Sequence, residues 1–371
     1  MPSNNPIRVA IVRCDSHAYW FAPYLDEVDP VVFATHSEDA PTRQEVHQLG
    51  CVRGNYAQMA IQQVPGFVIT KVFDRVGDRH ATNTDPELLQ YGSYPGRAIA
   101  LSETLVSRPQ VCETLEEAAR DVDAAFICDS SSPHDGADHL EQARPFLEKG
   151  IPCFVDKPFA ATYADAKAMV DLAVANDTVL MNASILSHTI EGAAFRRRFD
   201  EIGEAGLLTV KGVGFSNAGV GHGLALALSL FDFGVESVEC MGSGPQPDPK
   251  DWTPGDSRSH LEYLLLHYPD ERQVVVMNTE HKWFTANSEF FCAAYSKQGA
   301  IHSPGIGILQ FPPASRKIVE TFLRMVQTGT PPFPYEQPLE LIAIIEAGRI
   351  AQKEHRRVGL SEVYDAVGGG P

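Results

Sequence analysis

Residues 150–165 read Gly-Ile-Pro-Cys-Phe-Val-Asp-Lys-Pro-Phe-Ala-Ala-Thr-Tyr-Ala-Asp, and the punctuation of that stretch decides the fold. A short apolar run ending at Val155 meets the charged pair Asp156 and Lys157, and Pro158 breaks the chain. Thr162 can cap a following helix over residues 162–176, with Asp165 reaching back to the cap. A strand with no polar alternation, followed by a capped helix, is the unit of a parallel sheet covered on both faces. Moving outward, similar runs recur at residues 7–12, 67–73, 124–128 and 178–181, and helical patterning at 114–120 and 139–149 alternates with them. This predicts an N-terminal Rossmann-like, doubly wound α/β domain over residues 1–159.

Beyond residue 207 the pattern changes. Residues 208–215, 260–268, 273–279 and 290–296 read as longer strands, and 269–271 as a hairpin turn between two of them. Consecutive strands joined by turns predict a C-terminal α+β domain over residues 160–367, built on a large, open, mainly antiparallel sheet. Helical spacing at 315–328 and 335–355 brackets the proline-rich 330–334, and a Gly/Pro/Asp-rich loop at 242–256 reads as an exposed connection or cleft lid. Residues 368–371 read as a flexible tail.

The chain of 371 residues is 44% hydrophobic and 21% charged, enough apolar surface for a core in each half. A formal net charge of -18 disfavours a nucleic-acid or anionic-membrane partner, because both need a basic face. A small molecule is the expected partner. No apolar run reaches the roughly 18 residues of a membrane helix, and the start lacks the pattern of a secretory signal, so a cytoplasmic location is expected. The 7 cysteines are scattered without a Cys-x-x-Cys pair, as expected of free thiols in a reducing compartment.

In a doubly wound sheet, ligands bind where the loops after the strands collect. Those loops carry Arg13, Cys14, Asp15, Ser16 and His17; then Asp74 and Arg75; then Asp129, Ser130 and His134; then Asp156 and Lys157. An acid in the position of Asp74 accepts hydrogen bonds from an adenosine ribose and repels a 2'-phosphate, which favours NAD over NADP. The first loop has no glycine for close approach of backbone to phosphate. Arg13 or His17 can act there as side-chain anion ligands, and Ser16 as a helix cap. The connection over residues 15–65 is long enough to be an insertion that covers the cleft. Asp15, Asp129 and Asp156, with His17, His134 and His139 behind them, also permit a rival reading, a divalent-cation site. Aspartates that merely cap helices explain the same residues.

The stretch over residues 122–139, the sequence Leu147-Glu148-Lys149-Gly150-Ile151-Pro152 and the Asp156-Lys157-Pro158 turn resemble the glucose-fructose oxidoreductase, inositol dehydrogenase and MocA family (Gfo/Idh/MocA). Its members carry Glu-Lys-Pro at this turn and a histidine early in the preceding helix. The resemblance implies an NAD(H)-dependent oxidoreductase acting on a hydroxyl or carbonyl of a sugar, cyclitol or related polyol. It makes Lys157 the group that hydrogen-bonds the reacting oxygen, where a cation stabilises developing alkoxide. It makes His222 the candidate acid/base, although the family's neighbouring acid positions are here Ala218 and Ala225. Cofactor contacts would come from Arg13, Asp15, Ser16, His17, Asp74, Arg75, Asp129, Ser130, His139, Asp156 and Lys157. The resemblance also implies a homodimer or homotetramer. The glycine-free first loop departs from the family and keeps two alternatives open: a lyase, isomerase or hydrolase with altered nicotinamide binding, or a non-catalytic sugar-binding sensor.

Overall fold

The computed structural model describes residues 5–14, 16–29, 31–32, 63–74, 96–128, 138–213, 217–241, 261, 263–279, 290–307 and 310–370. Six strands, β1 (Ile7–Val12), β2 (Phe67–Phe73), β3 (Gln110–Val111), β4 (Ala124–Ile127), β5 (Cys153–Val155) and β6 (Leu180–Asn182), form one sheet in the order β3-β2-β1-β4-β5-β6. All its pairings are parallel. The order reverses between β1 and β4, and that reversal opens a crevice beyond their carboxyl ends. Every residue of β4 and β5 is buried, which accounts for their unbroken apolar sequences.

The described helices of this half are α1 (Ser16–Leu25), α2 (Arg97–Thr104), α3 (Leu115–Ala118), α4 (His139–Leu147) and α5 (Tyr163–Ala175). Thr162 caps α5 as expected: its Oγ1 accepts from the Asp165 N–H at 3.1 Å and donates to the Asp165 carboxylate at 2.7 Å. The remaining helices are α6 (Ile190–Arg197), α7 (Asn217–Phe231), α8 (Phe311–Thr328), α9 (Glu336–Glu354) and α10 (Leu360–Ala366).

The first sheet draws on residues beyond 159. β6 pairs with the open edge of β5, from Cys153↔Leu180 to Val155↔Asn182, so the sheet gains a strand beyond the expected boundary. The late helix α8 also joins this core. Its Phe322 lies 4.5 Å from Phe126 ring to ring, Phe126 lies 4.7 Å from Phe154, and the Tyr24 hydroxyl donates to the Pro312 carbonyl at 2.7 Å. A sheet buried on both faces needs cover on both, and here part of that cover comes from the far end of the chain.

The second sheet runs β12-β11-β7-β10-β9-β8-β13. Its strands are β7 (Leu207–Val213), β8 (Ser237–Met241), β9 (Tyr263–His267), β10 (Gln273–Thr279), β11 (Phe291–Ser296), β12 (Gly299–His302) and β13 (Val358–Gly359). All pairings are antiparallel except β7 with β10. The expected hairpin joins β9 to β10, with Glu271 in the left-handed region at φ 68. Helix α7 lies close against this sheet through two glycines. A Cβ on Gly212 would come within 2.8 Å of Asn278 Oδ1, and one on Gly223 within 3.0 Å of Val276. That close approach holds His222, one residue earlier, at a defined height above the sheet. No helix among the described residues is long and apolar enough to cross a membrane. The six described cysteines are unbonded, and burial raises the thiol of Cys112 to about 11 and that of Cys292 to about 12.

Candidate active site

The turn after β5 is held by side chains that bond its main chain. The Lys157 N–H donates to Asp156 Oδ1 at 2.7 Å, and Asn182 Nδ2 donates to the carbonyls of Val155 at 2.8 Å and Asp156 at 3.1 Å. The Lys157–Pro158 peptide is cis. Lys157 is buried, so its ammonium is drawn out of bulk water beside the crevice. The other Asp156 oxygen is hydrogen-bonded to His17 Nδ1 on the first turn of α1. A carboxylate that is only 1% exposed needs such donors. The pair ties the loop after β1 to the loop after β5.

His222 lies on α7, facing this junction from the second sheet. Its Nδ1 is 2.7 Å from Ser184 Oγ, and its ring packs edge-on against Phe290 at 6.0 Å. Burial depresses its basicity well below 6.5, and the nearby positive charges of Lys157 and His17 push it further down. The imidazole is therefore neutral near pH 7 and able to receive a proton. The ring's Nδ1 is thus met by a hydroxyl from a different element. Ser184 also accepts the Leu186 N–H at 3.2 Å, capping the 3₁₀ turn Ile185–His188, so its position is fixed.

The first loop solves its glycine-free geometry with side chains. Arg13 takes the left-handed region at φ 66, where glycine is the usual occupant. Its N–H donates to the Phe73 carbonyl at 2.8 Å, and its buried Nε lies 3.8 Å from Asp74 Oδ1. The Cys14 N–H donates to Asp74 Oδ2 at 3.3 Å. This donor set suits a dinucleotide. The Asp74 carboxylate at the end of β2 is of the kind that could accept from a ribose diol, and the amide end of α1 is of the kind that could hold a pyrophosphate.

The structure thus brings together Arg13 with Asp74 and, beside them in the same crevice, His17, Asp156, Lys157 and His222. It does not bring His139 there. That side chain is fully buried, with Nδ1 3.3 Å from the Phe159 carbonyl, so it braces the turn that carries Lys157 from behind. Asp15, Arg75, Asp129, Ser130 and the Ser16 side chain lie outside the described residues, as do His134, Trp252 and Trp283. Among the described residues, no group of three or more His, Cys, Asp and Glu side chains is arranged to hold a metal ion. Asn182 and Ser184 escaped the sequence reading because it followed the edge only to the loop after β5. The rule that located Lys157, that ligand groups follow strand ends, reaches both of them once β6 is counted.

Residues 55–184 match the sequence model of the Gfo/Idh/MocA family, described as an oxidoreductase family with an NAD-binding Rossmann fold. The match begins after β1 and the glycine-free loop. No curated protein matches the chain. Among solved structures, a myo-inositol dehydrogenase from Lactobacillus casei, in complex with NAD(H) and myo-inositol, is 14% identical with a TM-score of 0.65, covering 95% of this chain and 96% of that one. A myo-inositol dehydrogenase from Corynebacterium glutamicum is 14% identical with a TM-score of 0.62, covering 96% and 99%. An oxidoreductase from Agrobacterium radiobacter, in complex with NAD+, L-tartaric acid and magnesium, is 13% identical with a TM-score of 0.63, covering 96% and 99%. At these identities the likeness is one of fold, and it extends over both sheets.

Proposed function

Starting from the family match over residues 55–184, we propose that this chain is an NAD(H)-dependent oxidoreductase acting on a hydroxyl or carbonyl of a sugar, cyclitol or related polyol. The observation that carries the reading is the convergence of Lys157 and His222, from opposite domains, on the crevice at the strand-order reversal. When bound, NAD supplies the two-electron acceptor for oxidation of a carbinol carbon. The rest of the chemistry falls to the protein. Lys157 donates a hydrogen bond to the reacting oxygen and stabilises its developing negative charge. His222 receives the hydroxyl proton, which requires the tautomer in which Nδ1–H donates to Ser184 Oγ and Nε2 keeps its lone pair. Arg13 offers positive charge and His17 its imidazole ring to the coenzyme phosphates, and Asp74 accepts from the ribose diol.

A homo-oligomer fits the second sheet. Met241, Tyr263, Met277, Lys211 and Phe291 pair across five strands in one row, so they share one face, and Met241, Tyr263 and Phe291 are 66%, 41% and 39% exposed. Such a patch is suited to a second copy. Light scattering on purified protein is expected to give a dimer or tetramer mass.

The function is tested by titrating the protein with NADH and following the fluorescence of the bound nicotinamide. Saturable binding, tighter for NADH than NADPH, is the expected result, and no binding at millimolar coenzyme removes the dehydrogenase reading.

A further inference from the structure

Behind Lys157, between the 3₁₀ turn Ile185–His188, α7 and the start of α9, lies a cavity of about 220 Å³. Its wall contains Lys157 itself, so whatever fills it adjoins the reacting group. Pro158, Phe159, Phe233, Phe333, Pro338 and Leu341 supply most of the surface. The polar side chains on the wall are largely occupied with the protein. Ser184 Oγ is engaged by His222 and the Leu186 N–H, Ser187 Oγ donates to the Ser184 carbonyl at 2.8 Å, Ser229 Oγ donates to the Leu226 carbonyl at 2.7 Å, and Asn182 Nδ2 holds two carbonyls. His188, 3.0 Å from Ser187 Oγ and edge-on to Phe333 at 6.1 Å, is kept neutral by burial. Lys157 is the only charged residue among the described wall residues.

A bare polyol would bring several hydroxyls to a wall where, among the described residues, Lys157 and the Gln337 amide are the main polar groups not already engaged by the hydrogen bonds above, and where a phosphate or carboxylate would meet no charged wall residue besides Lys157. An apolar ring loses nothing. A dry cavity of about 150 Å³ already accepts benzene, so this one has room for a substituted ring.

We propose that the cavity is a binding site for an uncharged apolar substituent, aryl or branched alkyl, carried by the substrate next to its reacting carbon. This rests on the dehydrogenase reading for the reaction, while the binding site itself is independent of it. The substrate is then a sugar or cyclitol bearing an apolar group, with the hydroxyl at Lys157 and the substituent behind it.

The test uses the whole protein without coenzyme, with toluene, benzyl alcohol and myo-inositol as probes, read by saturation-transfer NMR and thermal shift. Toluene and benzyl alcohol are expected to bind and raise the melting temperature, and myo-inositol to do so more weakly. Gly221→Leu fills the cavity from α7 at a position where an added Cβ meets nothing within 4 Å. It is expected to weaken both ring probes at least tenfold. Leu341→Ala, which widens the opposite wall, is expected to admit naphthalenemethanol. Binding of toluene that survives Gly221→Leu unchanged, or no ring-probe binding by the wild type, overturns the proposal. Failure of the dehydrogenase reading shows separately, as absent NADH binding in a protein that still takes the ring probes.

Discussion

The loop after β5 and the loop after β1 border the same crevice, yet they are built from different materials. The Lys157 turn is clamped through main-chain groups: Asn182 holds two carbonyls, and Asp156 accepts the Lys157 N–H. The Arg13 turn has main-chain bonds too, from the Arg13 N–H to the Phe73 carbonyl and from the Cys14 N–H to Asp74, but adds side-chain pairs, with Arg13 beside Asp74 and His17 reaching across to Asp156. None of the three bonds at the Lys157 turn uses the Lys157 side chain. A side-chain clamp commits the same groups to structure and to the ligand at once. Altering the Lys157 side chain leaves those three bonds in place, whereas changes in the first loop should move stability and coenzyme binding together.

The largest effect is expected at Lys157. Lys157→Met removes the cation facing the reacting oxygen and should lower kcat/KM about 10³-fold, while NADH affinity measured by fluorescence stays within a few-fold. A parallel loss of NADH binding would erase the contrast between the loops. Ser184→Ala is the next test. Removing the hydroxyl that orients His222 should lower kcat about 10- to 100-fold, as loss of an orienting partner commonly does, with a shifted pH–rate profile and little change in KM.

Smaller effects sharpen the other side of the comparison. Arg13→Gly relieves a left-handed arginine, worth about 1–2 kcal/mol, but removes the cation beside the buried Asp74 carboxylate, and breaking a buried pair costs about 3–5 kcal/mol. The second term is larger, so urea denaturation should show a net loss of about 2 kcal/mol, together with weaker NADH binding. A stabilised Arg13→Gly variant would mean that the Arg13 side chain serves only the ligand. Last comes His222→Gln. In the folded chain His222 holds its proton less tightly than in the unfolded one, so the unfolded state binds more protons between the two pKa values and stability rises with pH there. Wild-type stability should fall as pH drops below about 6.5 and level off under the folded value. His188 acts in the same direction, so His222→Gln should reduce that slope without abolishing it, as thermal melts between pH 5 and pH 7.5 would show.

The apolar runs at β1, β2, β4 and β5, the cap at Thr162 and the hairpin after β9 were readable because each rests on residues close together in the chain. So was the place of Lys157, directly after a strand of the first sheet. The short strands β3, β8, β12 and β13 were not, because two to five residues take their pairing from neighbours rather than from their own pattern. Nor was it readable that β6 and Phe322 join the first core, through contacts that no local pattern announces.

Composition, strand periodicity and one charged turn were enough to specify a parallel sheet, a second sheet of another kind and a lysine at the crevice, since these depend on local burial and chain direction. Only the folded chain decided that Ser184 orients His222, that His17 meets Asp156, that His139 braces the turn from behind and that a cavity opens beside Lys157. Each of these is a contact between residues remote in sequence, and such contacts exist only after packing has brought their elements together.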